Sequence, residues 1–343
     1  MSANTKGGEV WTLAELREGK LHGVSLELLA WGRSLADKKG SPLASVVLGS
    51  GVSDTDLQNL IHHGADKVYL VDVPELKDFL VDSQTKVLRD LVKEYAPDIF
   101  IASATTQGRT VMPTLYAAVG TGLTADCTGL DIEAETGLLI QTRPAIGGNV
   151  MAEIKTPSHR PQMCTVRPKS KRPLSPDAKR TGEVVRVQPS KPSLASVLQR
   201  VVFKKEASVG LPIQEAEVIV AGGKGMKRAH NFELLKELAE LLGGSVGASR
   251  AAVDLGWAPF SAQVGLSGKS VTPRLYIACG ISGAVQHIAG MGGAEYIVAI
   301  NSDPEAAIFR AADIGIVGDA QEVLPKLIGE VKTMKNKGTG GGV

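Results

Sequence analysis

From Glu9 onward the chain alternates short apolar runs with amphipathic stretches. "EVWTLAE" has the texture of a strand, "SLELLAWGRSLADKKG" carries apolar residues at helical spacing and stops at Gly40, and "LASVVLG" is again strand-like. "DTDLQNLIHHG" predicts a short helix and "DKVYLVD" a strand. "PELKDFLVDSQTKVLRDLVKEYAP" predicts one long helix bounded by prolines. "DIFIASAT" and a helix after "GRTVMP" complete a βαβα series, which implies a parallel sheet. From Leu123 the pieces shorten, and "LLIQTRPAIGGNVMAEI" and "RPQMCTVRP" read as antiparallel hairpins added to the sheet edge. A softer stretch from Ser170 to Gln214 comes next, before βαβ alternation resumes at "AEVIVAGG".

The expected architecture is α/β in two domains. Residues 1–208 form a parallel βαβ sheet with an antiparallel extension, and 209–335 form a doubly wound ligand-binding domain. The tail "NKGTGGGV", 336–343, is expected to be disordered.

The most informative stretch is "LYIACGISGAVQHIAG", Leu275–Gly290. An apolar run ends in Gly280, a turn with Gly283 comes after it, and a periodic run through Ala284, Val285 and Ile288 then begins a helix. Such a turn aims unpaired helix N–H groups at one point, where an anion such as phosphate can sit, with Ser282 as N-cap or phosphate donor. The same turn also joins strands to helices where nothing binds. Two further strands end in small or polar residues: "EYIVAINSDP" at Asn301 and Asp303, and "IGIVGDA" at Gly318 and Asp319. Three such ends outline the carboxyl edge of a parallel sheet, where open α/β folds hold their ligands.

Composition narrows the classes. With 343 residues, net charge +2, 22% charged and 43% hydrophobic residues, the chain has room for two cores and no bias toward a nucleic-acid partner. Its most basic segment, "RPKSKRPLSPDAKR", lacks the interleaved aromatics that would stack bases, and aromatics are only 4% of the chain. Cys127, Cys164 and Cys279 are odd in number and far apart, so no disulfide framework or iron–sulfur site is indicated, and a reducing, cytoplasmic compartment is expected. "MSANTKGGEVWTLAE" has no apolar signal core, and no run reaches the ~18 apolar residues of a membrane span.

Two phosphate signatures fail. "QVGLSGKS" resembles a Walker A loop, but Gln263 stands where its first glycine is required. Gly280 and Gly283 do not continue into GxGxxG. Neither HExxH nor GxSxG occurs, so metal-dependent hydrolysis and triad chemistry have no support.

The ordered set "AGGKGM", "GASRAAVD", "QVGLSGK", "CGISGAVQHIAG" and "AINSDPEAAIFRAADIGIVGDA" closely resembles the alpha subunit of electron-transfer flavoproteins, whose C-terminal domain binds FAD. The likeness runs from about Ala216 to about Glu330. "GTGLTADCTGLDI" and "QTRPAIGGNVMAEI" extend it to the first half, and "TADCTGLDI" with "RPQMCTVRP" looks like the anaerobic, flavin-bifurcating branch.

The resemblance implies roles for residues that have ordinary explanations when taken alone. Arg250, otherwise a surface arginine, would lie against the isoalloxazine, where a fixed cation favours reduced, anionic flavin. Ser267 would donate to flavin N5, with Gln263 and Val264 in the same loop. Leu266 departs from the family's usual glutamine. His287, otherwise a packed helix histidine, would hydrogen-bond the pyrimidine carbonyl, and Gln286 would contact the ribityl chain or the ring edge. Ser282 and Gly283 would take the pyrophosphate, assisted by Ser249 and by Lys224, which replaces a frequent arginine, and Gly280, Ala284 and Val285 belong to the same FAD-binding set. Asn301, Asp319 and Ala320 would hold the adenosine.

The resemblance thus implies an FAD-carrying electron carrier that works as a heterodimer with a beta subunit. Acyl-CoA dehydrogenase-type flavoenzymes are the implied redox partners, and bifurcating members add NADH and ferredoxin. The alternative is an adenine-nucleotide-sensing regulatory module without redox activity.

Overall fold

The computed structural model describes residues 8–145, 150–203 and 212–338. The chain divides into two compact units, Met1–Lys204 and Lys205–Val343. The boundary expected near residue 209 lies outside the described residues. The last helix, Ala320–Gly338, runs into the segment expected as a disordered tail, of which 339–343 lie outside the described residues.

The first unit is built on seven parallel strands in the order Glu183–Arg186, Lys67–Asp72, Leu43–Gly49, Val10–Leu13, Ile99–Ser103, Gln162–Val166, Leu123–Cys127. Successive residues of a strand point to opposite faces, so Val10 packs with Leu28, Leu29 and Leu35 of helix Val24–Lys39. Trp11 and Leu13 pack on the other side with Val87, Leu88 and Leu91 of helix Val81–Tyr95. The first helix stops where expected, at Gly40 in the left-handed region (φ 65°).

Five local expectations change. The proline-bounded helix is two pieces, a single turn Pro74–Leu76 and the helix Val81–Tyr95. Asp82, in that helix's first turn, accepts from its neighbour Ser83 N and from Ser196 Oγ and Val197 N far along the chain, which fixes the start. The next helix begins before "GRTVMP", at Thr106, because Thr105 caps it by accepting from Gly108 N (3.1 Å); Pro113 therefore sits inside it.

"RPQMCTVRP" is an inner parallel strand, Gln162–Val166, rather than a hairpin at the edge. All five residues are buried. Its polar members imitate half-exposed alternation but find partners inside: Gln162 Oε1 accepts from Leu139 N (2.8 Å) and Thr165 Oγ from Asp126 N (2.9 Å), while Gln162 Nε2 is buried without a partner. The antiparallel part is a separate sheet of Gly129–Ile132, Leu139–Pro144 and Met151–Ile154. Within the softer stretch, Glu183–Arg186 supplies the edge strand beside Lys67–Asp72.

The second unit has five parallel strands in the order Ser245–Ala248, Val218–Gly222, Leu275–Cys279, Tyr296–Asn301, Ile314–Val317. Its two cores lie on opposite faces of that sheet. Ile219, Ala221, Tyr276, Ala278, Ile297 and Ala299 belong to one. Val220, Ile277, Cys279 and Ile300 belong to the other, with Phe232, Leu235 and Leu238 from helix Phe232–Leu241 and Leu324 and Ile328 from the last helix. Strands buried on both faces and covered by helices on each side make this a doubly wound unit.

Candidate functional site

The second unit's strand order reverses between its first strand, Val218–Gly222, and its third, Leu275–Cys279. At such a reversal the loops leaving two neighbouring strands turn to opposite faces of the sheet and open a crevice at the carboxyl edge. Here the floor of the crevice is main chain. Gly225 N donates to Gly280 O (2.9 Å) and Gly223 N to Cys279 O (2.9 Å). A Cβ on Gly223 would lie 2.3 Å from Gly280 O, and one on Gly280 would lie 2.7 Å from Gly225 Cα. Gly280 is therefore demanded by the facing loop "GGKG", none of whose three glycines carries a role in the sequence reading although their spacing is plain there.

Beyond Gly280 the chain enters helix Val285–Met291 through Ala284, which makes no side-chain cap. Ser282 is thus not the N-cap. Its hydroxyl is exposed and has no hydrogen-bond partner among the described residues, while its carbonyl accepts from Ile308 N (3.1 Å). Gly283 has φ 83°, and a Cβ there would stand 2.1 Å from Ile308 N. The close approach that makes glycine necessary at 283 is to the chain's own turn at Ala307–Ile308. Ala284, Val285 and Gln286 are exposed around the same opening.

The loop Gln263–Ser267 packs onto this helix from the other side. Leu266 N donates to Gln286 O (2.9 Å) and Val271 N to Gly290 O (2.8 Å). Gly265 and Gly290 lie so close that a Cβ on Gly290 would meet Gly265 N at 2.4 Å. Val264 N donates to Ala248 O (2.9 Å), tying the loop to the end of Ser245–Ala248. Gln263, nearly buried, donates from Nε2 to Ser267 Oγ (3.1 Å), whereas the Leu266 side chain is 69% exposed.

Ser249 comes directly after that strand and caps the short helix Arg250–Asp254 by accepting from Ala252 N (3.4 Å). Arg250 is exposed, and its Nε stands 3.5 Å from Asp254 across one helical turn.

His287 points the opposite way from its neighbour Gln286, into the core. Nε2 lies 3.0 Å from the Tyr276 hydroxyl, and Nδ1 is buried without a hydrogen-bond partner. Burial pushes the ring down to about 4; the Val264 backbone pulls the other way without offsetting it. The imidazole is therefore neutral at physiological pH. Tyr276 has no sequence signal, because strand and helix bring it to His287 only through the fold.

Farther along the sheet edge, Asn301 donates from Nδ2 to Ile281 O (2.9 Å) and its Oδ1 accepts from Asp303 N (3.0 Å). Asp319 caps the last helix, which begins at Ala320, by accepting from Gln321 N (3.0 Å), and pairs with Lys227 Nζ at 2.5 Å, which holds its carboxyl below the usual range. Gln321 reaches back to Gly225 O (3.3 Å). Lys224, in the same turn as Gly225, is exposed and has no partner among the described residues.

These residues suit a long, anionic, partly aromatic ligand such as FAD. The crevice floor has no side chains to obstruct it. Lys224, Ser282 and Gln286 offer unclaimed donors to solvent, Leu266 and Val285 offer exposed apolar surface, and Nδ1 of His287 is a buried nitrogen without a partner. Among the described residues no group of His, Cys, Asp and Glu could hold a metal ion.

Comparison with known proteins bears on the same segments. Residues 10–192 match the model of the electron transfer flavoprotein domain, and 212–292 match that of the electron transfer flavoprotein FAD-binding domain. An electron transfer flavoprotein subunit alpha of Thermoanaerobacterium thermosaccharolyticum is 48% identical over 95% of this chain and 98% of its own length. Protein FixB of Clostridium saccharobutylicum is 49% identical over 96% of this chain and 97% of its own. Lactate dehydrogenase (NAD(+),ferredoxin) subunit LctC of Acetobacterium woodii is 41% identical over 93% of this chain and 76% of its own. None of these supports a nucleotide-sensing module. The glycine-floored crevice, the FAD-binding domain match laid over most of it and the near-complete alignments converge: the chain belongs to the electron transfer flavoprotein alpha-subunit family, an FAD-binding electron transfer protein.

Proposed function

We propose that FAD lies along the carboxyl edge of the second unit, with its pyrophosphate over the Gly280–Val285 turn and Lys224. The isoalloxazine would sit among Arg250, the Gln263–Ser267 loop, Gln286 and His287, and the adenosine toward Asn301, Asp319 and Ala320. The observation that carries this reading is the gathering of unclaimed donors around a crevice floored by the glycine main chain of Gly223, Gly225 and Gly280.

When bound there, FAD takes up electrons from one redox partner and passes them to another. The chain's part is placement and electrostatics. Arg250 supplies positive charge at the open face. His287 adds a neutral, buried ring whose position is fixed by Tyr276. Leu266 and Val285 limit water at the ring edge, and Lys224 neutralises phosphate charge.

A second, beta-type subunit completes the carrier, in keeping with relatives named as alpha subunits. Acyl-CoA dehydrogenase-type flavoenzymes fit as electron donors. A bifurcating arrangement with NADH and ferredoxin is favoured by the relative whose name joins NAD(+) and ferredoxin. A cytoplasmic site agrees with three free, buried cysteines, and no helix among the described residues is long and apolar enough to cross a membrane. The test is co-expression with the beta-type subunit. A yellow 1:1 heterodimer whose flavin is lost when the second unit is altered is the expected result; a colourless, FAD-indifferent chain would overturn the reading.

A further inference from the structure

Tyr276 lies on the strand Leu275–Cys279 and His287 on the helix that covers it. The tyrosine hydroxyl and His287 Nε2 are 3.0 Å apart, and the rings meet edge to face with centroids 6.1 Å apart. Both side chains are buried; among the described residues no well-formed hydrogen bond reaches His287 Nδ1, although the Val264 backbone acts on the ring. Burial holds the Tyr276 hydroxyl well above its ordinary value, so its proton stays on.

A neutral imidazole carries one proton, on Nδ1 or on Nε2. With the proton on Nε2, that N–H would point at the tyrosine oxygen. The tyrosine O–H would then have no acceptor, and Nδ1 would be a buried acceptor without a donor, which makes two unmet groups. With the proton on Nδ1, Tyr276 donates to Nε2 and one group is left open, the Nδ1–H.

We propose that Tyr276 is a positioning residue: by donating to Nε2 it holds His287 in the tautomer protonated on Nδ1, so that the ring offers the cofactor a fixed, neutral hydrogen-bond donor. The role toward the cofactor rests on the proposed FAD placement, whereas the tautomer is a property of this chain alone. In that arrangement the imidazole supplies a directed dipole, and Tyr276 acts without touching the flavin.

The tautomer is read by 15N NMR of the full chain labelled on histidine. The His287 signals among the six histidines are assigned from their loss in His287→Gln. The expected wild-type spectrum shows Nδ1 protonated and Nε2 unprotonated. In Tyr276→Phe, which keeps the ring volume and removes the donor, the protonated signal should move wholly or partly to Nε2. A wild-type spectrum with the proton on Nε2, or a Tyr276→Phe spectrum identical to wild type, would overturn the tautomer assignment. The second readout is the flavin reduction potential of FAD-loaded wild type, Tyr276→Phe and His287→Gln. Tyr276→Phe should shift the potential downward in the direction of His287→Gln. If the tautomer changes and the potential does not, the positioning role is wrong. That result is distinct from failure of the FAD reading itself, which would show as a chain that binds no flavin. Should Tyr276→Phe not fold, the wild-type spectrum alone still decides the tautomer.

Discussion

Both units reverse their strand order at the first strand they contribute, and both therefore open a crevice at the carboxyl edge, yet the two are finished differently. In the first unit the reversal lies between Val10–Leu13 and Ile99–Ser103. Side chains fill it: Thr105, at the start of one exit loop, donates to Glu15 Oε1 at the start of the other, and Glu15 is almost fully buried with its amide bonded to Ser25 Oγ (2.9 Å). In the second unit the equivalent place is floored by Gly223, Gly225 and Gly280 and rimmed by exposed donors. Topology makes the crevice and the loop residues decide whether it can receive a ligand.

The largest expected effect breaks the contrast at Gly283. Gly283→Val places a Cβ where Ile308 N stands 2.1 Å away, on a backbone at φ 83°, so the turn must leave the Ala307–Ile308 segment. FAD content after purification should fall to nothing, and the second unit's thermal transition should drop or vanish while the first unit's stays. Full flavin retention would show that the turn does not bear on binding.

The next effect separates the units by pH. His287 has a folded value of about 4 against an ordinary 6.5, so between those limits the unfolded chain binds the proton first and stability falls as pH falls; above 6.5 the full contribution is present. The total is about 3 kcal/mol. Glu15 runs the other way. Burial raises its carboxyl against the opposing Thr105 hydrogen bond and Arg17 charge, so the native state holds the proton more tightly, and stability is lost as pH rises through the raised value. Urea melts from pH 7 to pH 4 should show a second-unit loss that disappears in His287→Gln. A loss of equal size in that variant would assign the acid sensitivity elsewhere.

A third prediction concerns Arg250. Its exposure and its Asp254 neighbour screen the charge, so Arg250→Ala should lower the flavin potential by on the order of 100 mV, and Arg250→Lys should recover part of that. Redox titration of the three FAD-loaded proteins is the measurement, and equal potentials would take the isoalloxazine away from Arg250.

The smallest effect is expected from the filled crevice. Glu15→Gln keeps the shape and removes the titration, so stability at pH 8 should change by no more than about 1 kcal/mol and flavin content not at all. Loss of flavin in this variant would mean that the two crevices are not independent in function.

How much of the molecule is legible in the chain depends on how local each signal is. "LASVVLG" and Gly40 declare a strand and a helix stop within a few residues, and the Leu275–Gly290 run declares a strand, a turn and a helix in order. Gln162–Val166 reads as an edge hairpin because its polar residues accept from Leu139 and Asp126, partners far away in sequence. Glu183–Arg186 is only four residues long and lies in a stretch of Pro, Ser, Lys and Arg that reads as a connection. At the site, the glycines are visible but their reasons are not. Gly283 answers to Ile308 and Gly280 to Gly225, contacts that exist only once the sheet has assembled. The Tyr276–His287 pair joins a strand residue to a helix residue and has no periodicity of its own.

The placing of Glu183–Arg186 beside Lys67–Asp72 also governs the order in which the protein can be made. As the chain leaves the ribosome, the strands from Val10 to Ser103 can pair with one another as they appear, but Lys67–Asp72 remains an open edge until Glu183–Arg186 emerges. At about 5–20 residues per second that interval is on the order of 10 s. For that time the nascent first unit displays a buried-type strand, Val68–Val71, with unpaired main-chain groups, a template for pairing with a neighbouring chain on the same message. The edge is safe only after the segment that reads in sequence as a soft connection has arrived, which makes that connection a guardian of synthesis as much as a link between domains.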